Sequence, residues 1–126
     1  GVVMLDDQGI KYFTVAADQG HADAHFPLAV MYQNGWGVPQ SDEVANKWYL
    51  LAANQGVTAA QISLGRYYSM DFLDSFDPVE AYMWFSLAED AGDIDAASKR
   101  EFVESRMTDE QIAEVDSRVE AWKASH

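Results

Sequence analysis

VANKWYLLAANQG, residues 44–56, and EAYMWFSLAEDAG, residues 80–92, are one segment written twice at a spacing of 36 residues. QGIKYFTVAADQG at 8–20 is a third copy at the same offset, which places Gly20, Gly56 and Gly92 in register. An aromatic pair recurs as Tyr12-Phe13, Trp48-Tyr49 and Trp84-Phe85, and an alanine as Ala16, Ala52 and Ala88. Beyond the glycines, Ala24, Leu28 and Tyr32 return as Ala60, Leu64 and Tyr68, and Gly1-Val2 and Asp6 precede Gly37-Val38 and Asp42 by the same interval. Ungapped self-similarity at this period marks a repeat architecture, in which each unit buries its apolar face by stacking on a neighbour.

Each unit reads as two helices. Trp48, Leu51, Ala52 and Gln55 follow the i, i+3, i+4, i+7 rhythm of one helical face, and no strand-like alternation competes with it. The three registered glycines suit the left-handed position just past a helix, where a Cβ is penalised. Asp77-Pro78-Val79-Glu80 sets an acceptor before a first-turn proline, with glutamate three residues on; Asp42 is the equivalent cap one repeat earlier. Thr108-Asp109-Glu110-Gln111 is a second capping box. The spacing predicts helices over 8–19, 22–34, 42–55, 58–70, 78–91, 93–106 and 109–124, an all-α chain of αα-hairpins within one domain, 1–126. That domain divides into the back half of a repeat (1–20), two complete repeats (21–56 and 57–92) and a terminal pair of helices (93–126).

Composition narrows the function. Twenty-one acidic against 8 basic residues give a net charge of −13, which repels phosphate backbones and anionic lipid, so neither nucleic acid nor a membrane surface is expected as partner. A basic peptide or protein would be attracted at long range, although acids also simply keep a chain soluble. The absence of cysteine excludes disulfides and thiolate metal sites. No apolar run approaches the roughly 20 residues that span a bilayer, so no membrane insertion is expected.

The run Ala24-x-x-x-Leu28-Ala29-x-x-Tyr32-x-x-Gly35-x-Gly37-Val38, followed by Asp42, Ala45, Trp48-Tyr49, Ala52-Ala53 and Gly56, resembles a Sel-1-like repeat, a relative of the tetratricopeptide repeat. The resemblance implies helix pairs stacked into a right-handed solenoid and a scaffolding role, in bacteria often at the periplasm or envelope and otherwise in the cytoplasm. It implies no catalytic residue and no cofactor. Met107 to Ala113, with Trp122, looks like the closing helix of bacterial members, and Ile112, Val115, Val119 and Trp122 form its apolar stripe. The chain reads as the C-terminal piece of a longer array. The 71–77 loop departs from the pattern: Asp-Phe-Leu-Asp-Ser-Phe-Asp replaces glycines, so its backbone path is expected to change, with Phe72 and Phe76 either packed inward or exposed as a contact point.

At about 100° per residue, a core Leu28 puts Ala24, Met31 and Tyr32 on the same side and turns Asp23, Phe26, Val30 and Gln33 away. The matching residues in the next repeat are Ala59, Ile62, Arg66 and Ser69, and after that Asp95, Ser98, Phe102 and Ser105. In a tetratricopeptide-like stack the first helix of each pair lines the concave face. Phe26, Val30, Gln33, Ile62, Arg66 and Ser69 are therefore the candidate contacts for a protein or peptide partner, a mixture of apolar area and polar groups. The competing account is that Phe26 and Ile62 contact the first helix of the neighbouring repeat and never meet a ligand.

Other chemistry is set aside. His21 and His25 share a helical face but no third ligand appears, so no metal is assigned. Asp71, Asp74 and Asp77 lack the spacing and central glycine of a calcium loop and are better used in solvation and capping. Asn34-Gly35-Trp36-Gly37 is an inter-helix turn and not a phosphate cradle. The alternative function is a small-ligand or cell-wall-fragment binder with weak hydrolase activity. Ser63 and Ser69 would be its nearest hydroxyls, without a histidine predicted beside them.

Overall fold

The computed structural model describes the backbone of residues 7–70 and 74–126 and the side chains of 11–70 and 74–126. Its helices are α1 (Asp7–Asp18), α2 (His25–Asn34), α3 (Asp42–Asn54), α4 (Thr58–Tyr68), α5 (Pro78–Asp90), α6 (Ile94–Glu104) and α7 (Asp109–Ser125), with no strand among the described residues. The expected all-α hairpin architecture is present. The chain divides into two compact units, Gly1–Val57 and Thr58–His126.

The repeated glycines end the helices by one shared device. Val57 N–H donates to Ala52 C=O at 3.1 Å and Gly56 N–H to Ala53 C=O at 3.0 Å, the paired bonds of a Schellman motif. The same pair closes α1 (His21 to Ala16, Gly20 to Ala17) and α5 (Asp93 to Ala88, Gly92 to Glu89). Gly20, Gly56 and Gly92 have φ of +82°, +87° and +106°, and a Cβ at any of them would meet nothing within 4 Å. Glycine is required there by backbone conformation alone, and not by crowding.

Helix starts correct three details of the sequence reading. The cap of α3 is Ser41, in extended conformation, whose Oγ accepts from Val44 N–H at 3.1 Å. Asp42 is instead the first helical residue, its carboxylate accepting from Gln40 Nε2. The predicted helix from 22 begins as a 3₁₀ turn, Ala22–Ala24, and becomes α-helical only at His25. Pro27 explains this: it has no N–H to give the Asp23 carbonyl, and its ring crowds that same oxygen. Asp77 caps α5 as expected, accepting from Glu80 N–H. Glu80 does not reach back to it, because Asp77 N–H already donates to Tyr68 C=O and the Glu80 carboxylate meets Arg118. Thr108 and Gln111 form the full reciprocal box at the head of α7.

In the first unit α2 packs along α3, and α1 along the start of α2. Ala17, Ala24 and Leu28 are its buried centre, flanked by Phe13, Ala16, Tyr32 and Trp48. In the second unit α5 lies against α4, α6 and α7 and buries nearly its whole surface, including Trp84, Phe85 and Leu87. The repeated alanines Ala52, Ala60, Ala88 and Ala96 have no exposed surface, so helix backbones approach closely at each. The stripe predicted on α7 faces inward: Val115 and Val119 are buried, Ile112 and Trp122 half-buried. Polar ties fix α7 to α5, with Tyr82 Oη donating to Asp116 at 2.9 Å and ion pairs Arg118–Glu80 and Lys123–Asp90.

Of the departing loop, Phe72 and Asp71 lie outside the described residues, Phe76 is half-buried and Asp74 exposed. The chain rejoins the repeat at Asp77, whose N–H bond to Tyr68 C=O duplicates that of Ser41 to Tyr32, both 2.9 Å.

Candidate partner-binding groove

The six sequence-nominated contact residues sit on first helices or just past their end, three in each unit. On α2, Phe26 is half-buried with its ring against Tyr49 at 5.7 Å, and Val30 is half-buried. Gln33 is exposed, yet its Oε1 accepts from Tyr49 Oη at 2.6 Å. Phe26 and Gln33 are thus both engaged with one ring of α3, which is 2% exposed. On α4, Ile62 is half-buried and Arg66 exposed, and Ser69, just past its end, is half-buried.

The second unit carries a groove of about 250 Å³ lined by Arg66 of α4, Ser69 just past its end, Phe85 of α5, and Ser98, Lys99 and Phe102 of α6. Four of these had been assigned to the partner face by helical phase. The groove follows from three coordinated replacements between repeats. Ala29, Gln33 and Tyr49 of the first unit correspond, 36 residues on, to Gly65, Ser69 and Phe85 of the second. In the first unit the long Gln33 side chain accepts from the tyrosine hydroxyl. In the second the hydroxyl is gone and so is any need for an acceptor. Ser69 donates its own hydroxyl to Arg66 C=O at 3.0 Å. Gly65 lets the Phe85 ring approach so near that a Cβ there would lie 2.5 Å from Cε1. Phe85, 1% exposed, becomes the floor of an open hollow, and Phe102, 49% exposed, its wall.

The groove is cationic in an acidic chain. Arg100, Arg118 and Lys123 of the same unit are each held in ion pairs, Arg100 Nε lying 2.7 Å from Glu89. That bond to Glu89 is the main reason the Arg100 guanidinium is held above its ordinary pKa. Arg66 and Lys99 make no ion pair among the described residues. Arg106 stands over the Phe102 ring at 5.3 Å. Lys99, Phe85 and Gly65 escaped the sequence reading. Comparing the two repeats position by position at Ala29/Gly65, Gln33/Ser69 and Tyr49/Phe85 carries the signal that finds them.

The Ser63 and Ser69 hydroxyls donate to Ala59 and Arg66 carbonyls at 3.0 Å, and neither bonds a histidine. The two helical histidines are not a pair: His25 is buried and stacked on Trp48, whereas His21 is exposed before the 3₁₀ turn. No cluster of three metal-ligating side chains occurs among the described residues. Nor is any described helix long and apolar enough to cross a membrane.

A larger hollow, about 670 Å³, opens on the first unit between Lys11–Gln19 of α1 and His21–Ala24. Tyr12 and Val15, on its wall, are 65% and 55% exposed. Tyr12 and Phe13 match Trp48 and Tyr49, which pack on His25 and Phe26 of the first helix of their own repeat.

With the geometry established, comparison with known proteins places the chain. The Sel1 repeat model matches residues 6–21, 22–57 and 58–93, more than half the sequence. The chain belongs to the Sel1 repeat family. Among solved structures it is similar to a protective antigen of uropathogenic Escherichia coli strains displaying an SLR fold, with TM-score 0.78 and 28% identity over 90% of this chain and 24% of that one. A Sel1 repeat protein from Oxalobacter formigenes superposes with TM-score 0.67 and 31% identity, over 77% of this chain and 40% of that one. A curated relative, the chitin synthase regulator SKT5 of Malassezia restricta, is 34% identical over 92 residues, 71% of this chain and 6% of its own length. This Sel1 repeat chain therefore spans less than half the length of each of these relatives.

Proposed function

We propose that the chain is a non-catalytic interaction module that seats a peptide or protein segment on the first helices of its repeats, centred on the α4/α6 groove. The observation that carries this reading is an exposed Phe102 beside a buried Phe85 floor, in a hollow bordered by hydrogen-bonding and charged groups. A volume of about 250 Å³ falls below the roughly 300–1,000 Å³ of small-molecule sites, so it suits one side chain of a longer ligand. Membership of the Sel1 repeat family supports a scaffolding role, as does the absence of any serine–histidine pair in the groove. Ile62 is proposed as a further contact on the second unit, and Phe26, Val30 and Gln33 as contacts of the first unit by itself, with Phe26 and Gln33 also supporting Tyr49.

A photo-crosslinking side chain placed at Ser98 or Phe102 of the full chain, and at exposed Glu114 on α7 as control, tests the proposal in extracts of the source cells. Discrete protein adducts at the two groove positions and none at Glu114 are expected. Equal labelling at all three, or adducts at Glu114 alone, would overturn it. Purified chain hydrolysing cell-wall fragments, with turnover lost in Ser69→Ala, would replace it with the enzymatic alternative.

A further inference from the structure

We infer that the α4/α6 groove selects an acidic segment of its partner, an apolar side chain lying on Phe85 and Phe102 with flanking carboxylates on Arg66 and Lys99. The inference rests on the groove being a peptide seat and adds the chemistry of the peptide. Unit 2 holds six of the eight cationic residues of the chain. Arg100, Arg118 and Lys123 are neutralised by carboxylates of their own unit, but among the described residues Arg66 and Lys99 are not, although acidic residues outnumber basic ones. Asp95 stands one turn before Lys99 on α6, at the i, i+4 spacing that permits pairing, and no ion pair joins them. Two cations left free on opposite walls of an apolar hollow are complementary to carboxylates placed on either side of an apolar residue.

The net charge of −13 does not contradict this. Charge is screened over about 8 Å at physiological salt, so the contact is decided by the groups that line it. The acidic remainder of the surface acts as a filter, because an acidic segment is repelled everywhere except where it meets Arg66 and Lys99 in register. Arginine offers a planar fork for one carboxylate and lysine a mobile point charge for another. Exposed pairs of this kind contribute roughly two- to fivefold each in affinity, so selectivity comes from both cations acting together with the apolar seat.

The test is a randomised peptide library displayed on phage and panned against the full chain, against Arg66→Glu/Lys99→Glu, and against Phe102→Asp. Circular dichroism and the thermal midpoint of each variant check that the fold is kept. Wild type should enrich peptides with Asp or Glu flanking Leu, Ile or Phe. The charge-reversed variant should lose those peptides and enrich Lys- and Arg-flanked ones, and Phe102→Asp should enrich neither. Neutral or basic peptides that bind wild type and are lost on Phe102→Asp would overturn the acidic preference while leaving the groove a peptide seat. No enrichment, or peptides indifferent to all three substitutions, would overturn both.

Discussion

Replacing Gly65 by alanine should destabilise the second unit, although alanine is the better helix former. The new Cβ would lie 2.5, 2.7 and 2.8 Å from Cε1, Cδ1 and Cζ of Phe85, where carbon atoms rest at about 3.5–4.0 Å. The ring must retreat by about 1 Å, and at 1% exposure it is enclosed by close-packed neighbours. Overpacking of this kind costs about 1–3 kcal/mol, against a gain of about 1 kcal/mol from removing a mid-helix glycine. The net expectation is a loss of about 1 kcal/mol, read as a lower urea midpoint at unchanged slope by circular dichroism. In a Phe85→Leu background the clash is relieved, so the same Gly65→Ala change should become neutral or stabilising. That reversal of sign distinguishes a clash from a general intolerance of α4. If Gly65→Ala alone raises stability by about 1 kcal/mol, as propensity dictates for an uncrowded helix, the close approach is refuted, and with it the account of how the groove floor is formed.

The cap correction predicts that Ser41→Ala costs about 1 kcal/mol while Asp42→Ala stays within about 0.5 kcal/mol; urea titration of the two variants checks it, and equal losses would return the cap to Asp42. Burial, then the hydrogen bond to Asp116, holds the Tyr82 phenol above its ordinary pKa of 10.0. The folded state therefore keeps this proton longer than the unfolded one. The stability it contributes is present below pH about 10 and lost as pH rises towards the folded value. Tyr82→Phe should accordingly be less stable than wild type at pH 8 and fall less steeply above pH 10, as followed by urea unfolding across that range; parallel losses in both proteins would show that Tyr82 is not the group concerned.

Most of the fold was legible because helical repeats write their geometry into spacing. The registered glycines mark three identical backbone endings, and the alanines mark helix crossings. Details that depend on competition between adjacent residues were less legible. Ser41 and Asp42 are both good caps by type, and only the extended backbone at Ser41, φ −157° and ψ 111°, decides between them. Pro27 had been absorbed into a continuous helix because the apolar rhythm runs through it, while the rule it breaks concerns one hydrogen bond. The candidate site was half visible. Helical phase put Arg66, Ser69, Ser98 and Phe102 on one kind of surface but could not show which part of that surface is sealed. That depends on side-chain reach, with Gln33 bonding Tyr49 in one repeat and Ser69 bonding the Arg66 carbonyl in the other, a property that periodicity does not encode.

The matched sets Ala29, Gln33, Tyr49 and Gly65, Ser69, Phe85 constrain how such repeats can diverge. Converting the second set into the first one residue at a time meets an obstacle at most steps. Alanine introduced at 65 collides with the ring already there, and tyrosine introduced at 85 brings a hydroxyl whose acceptor has not yet arrived. Only glutamine at 69 is tolerated first, and it would close the hollow before the ring beneath it changes. The three positions are thus coupled by packing and are expected to change together. Across related arrays they should covary within a repeat, so that glycine at the first position, read from sequence alone, would flag which repeat in a long solenoid is open for business.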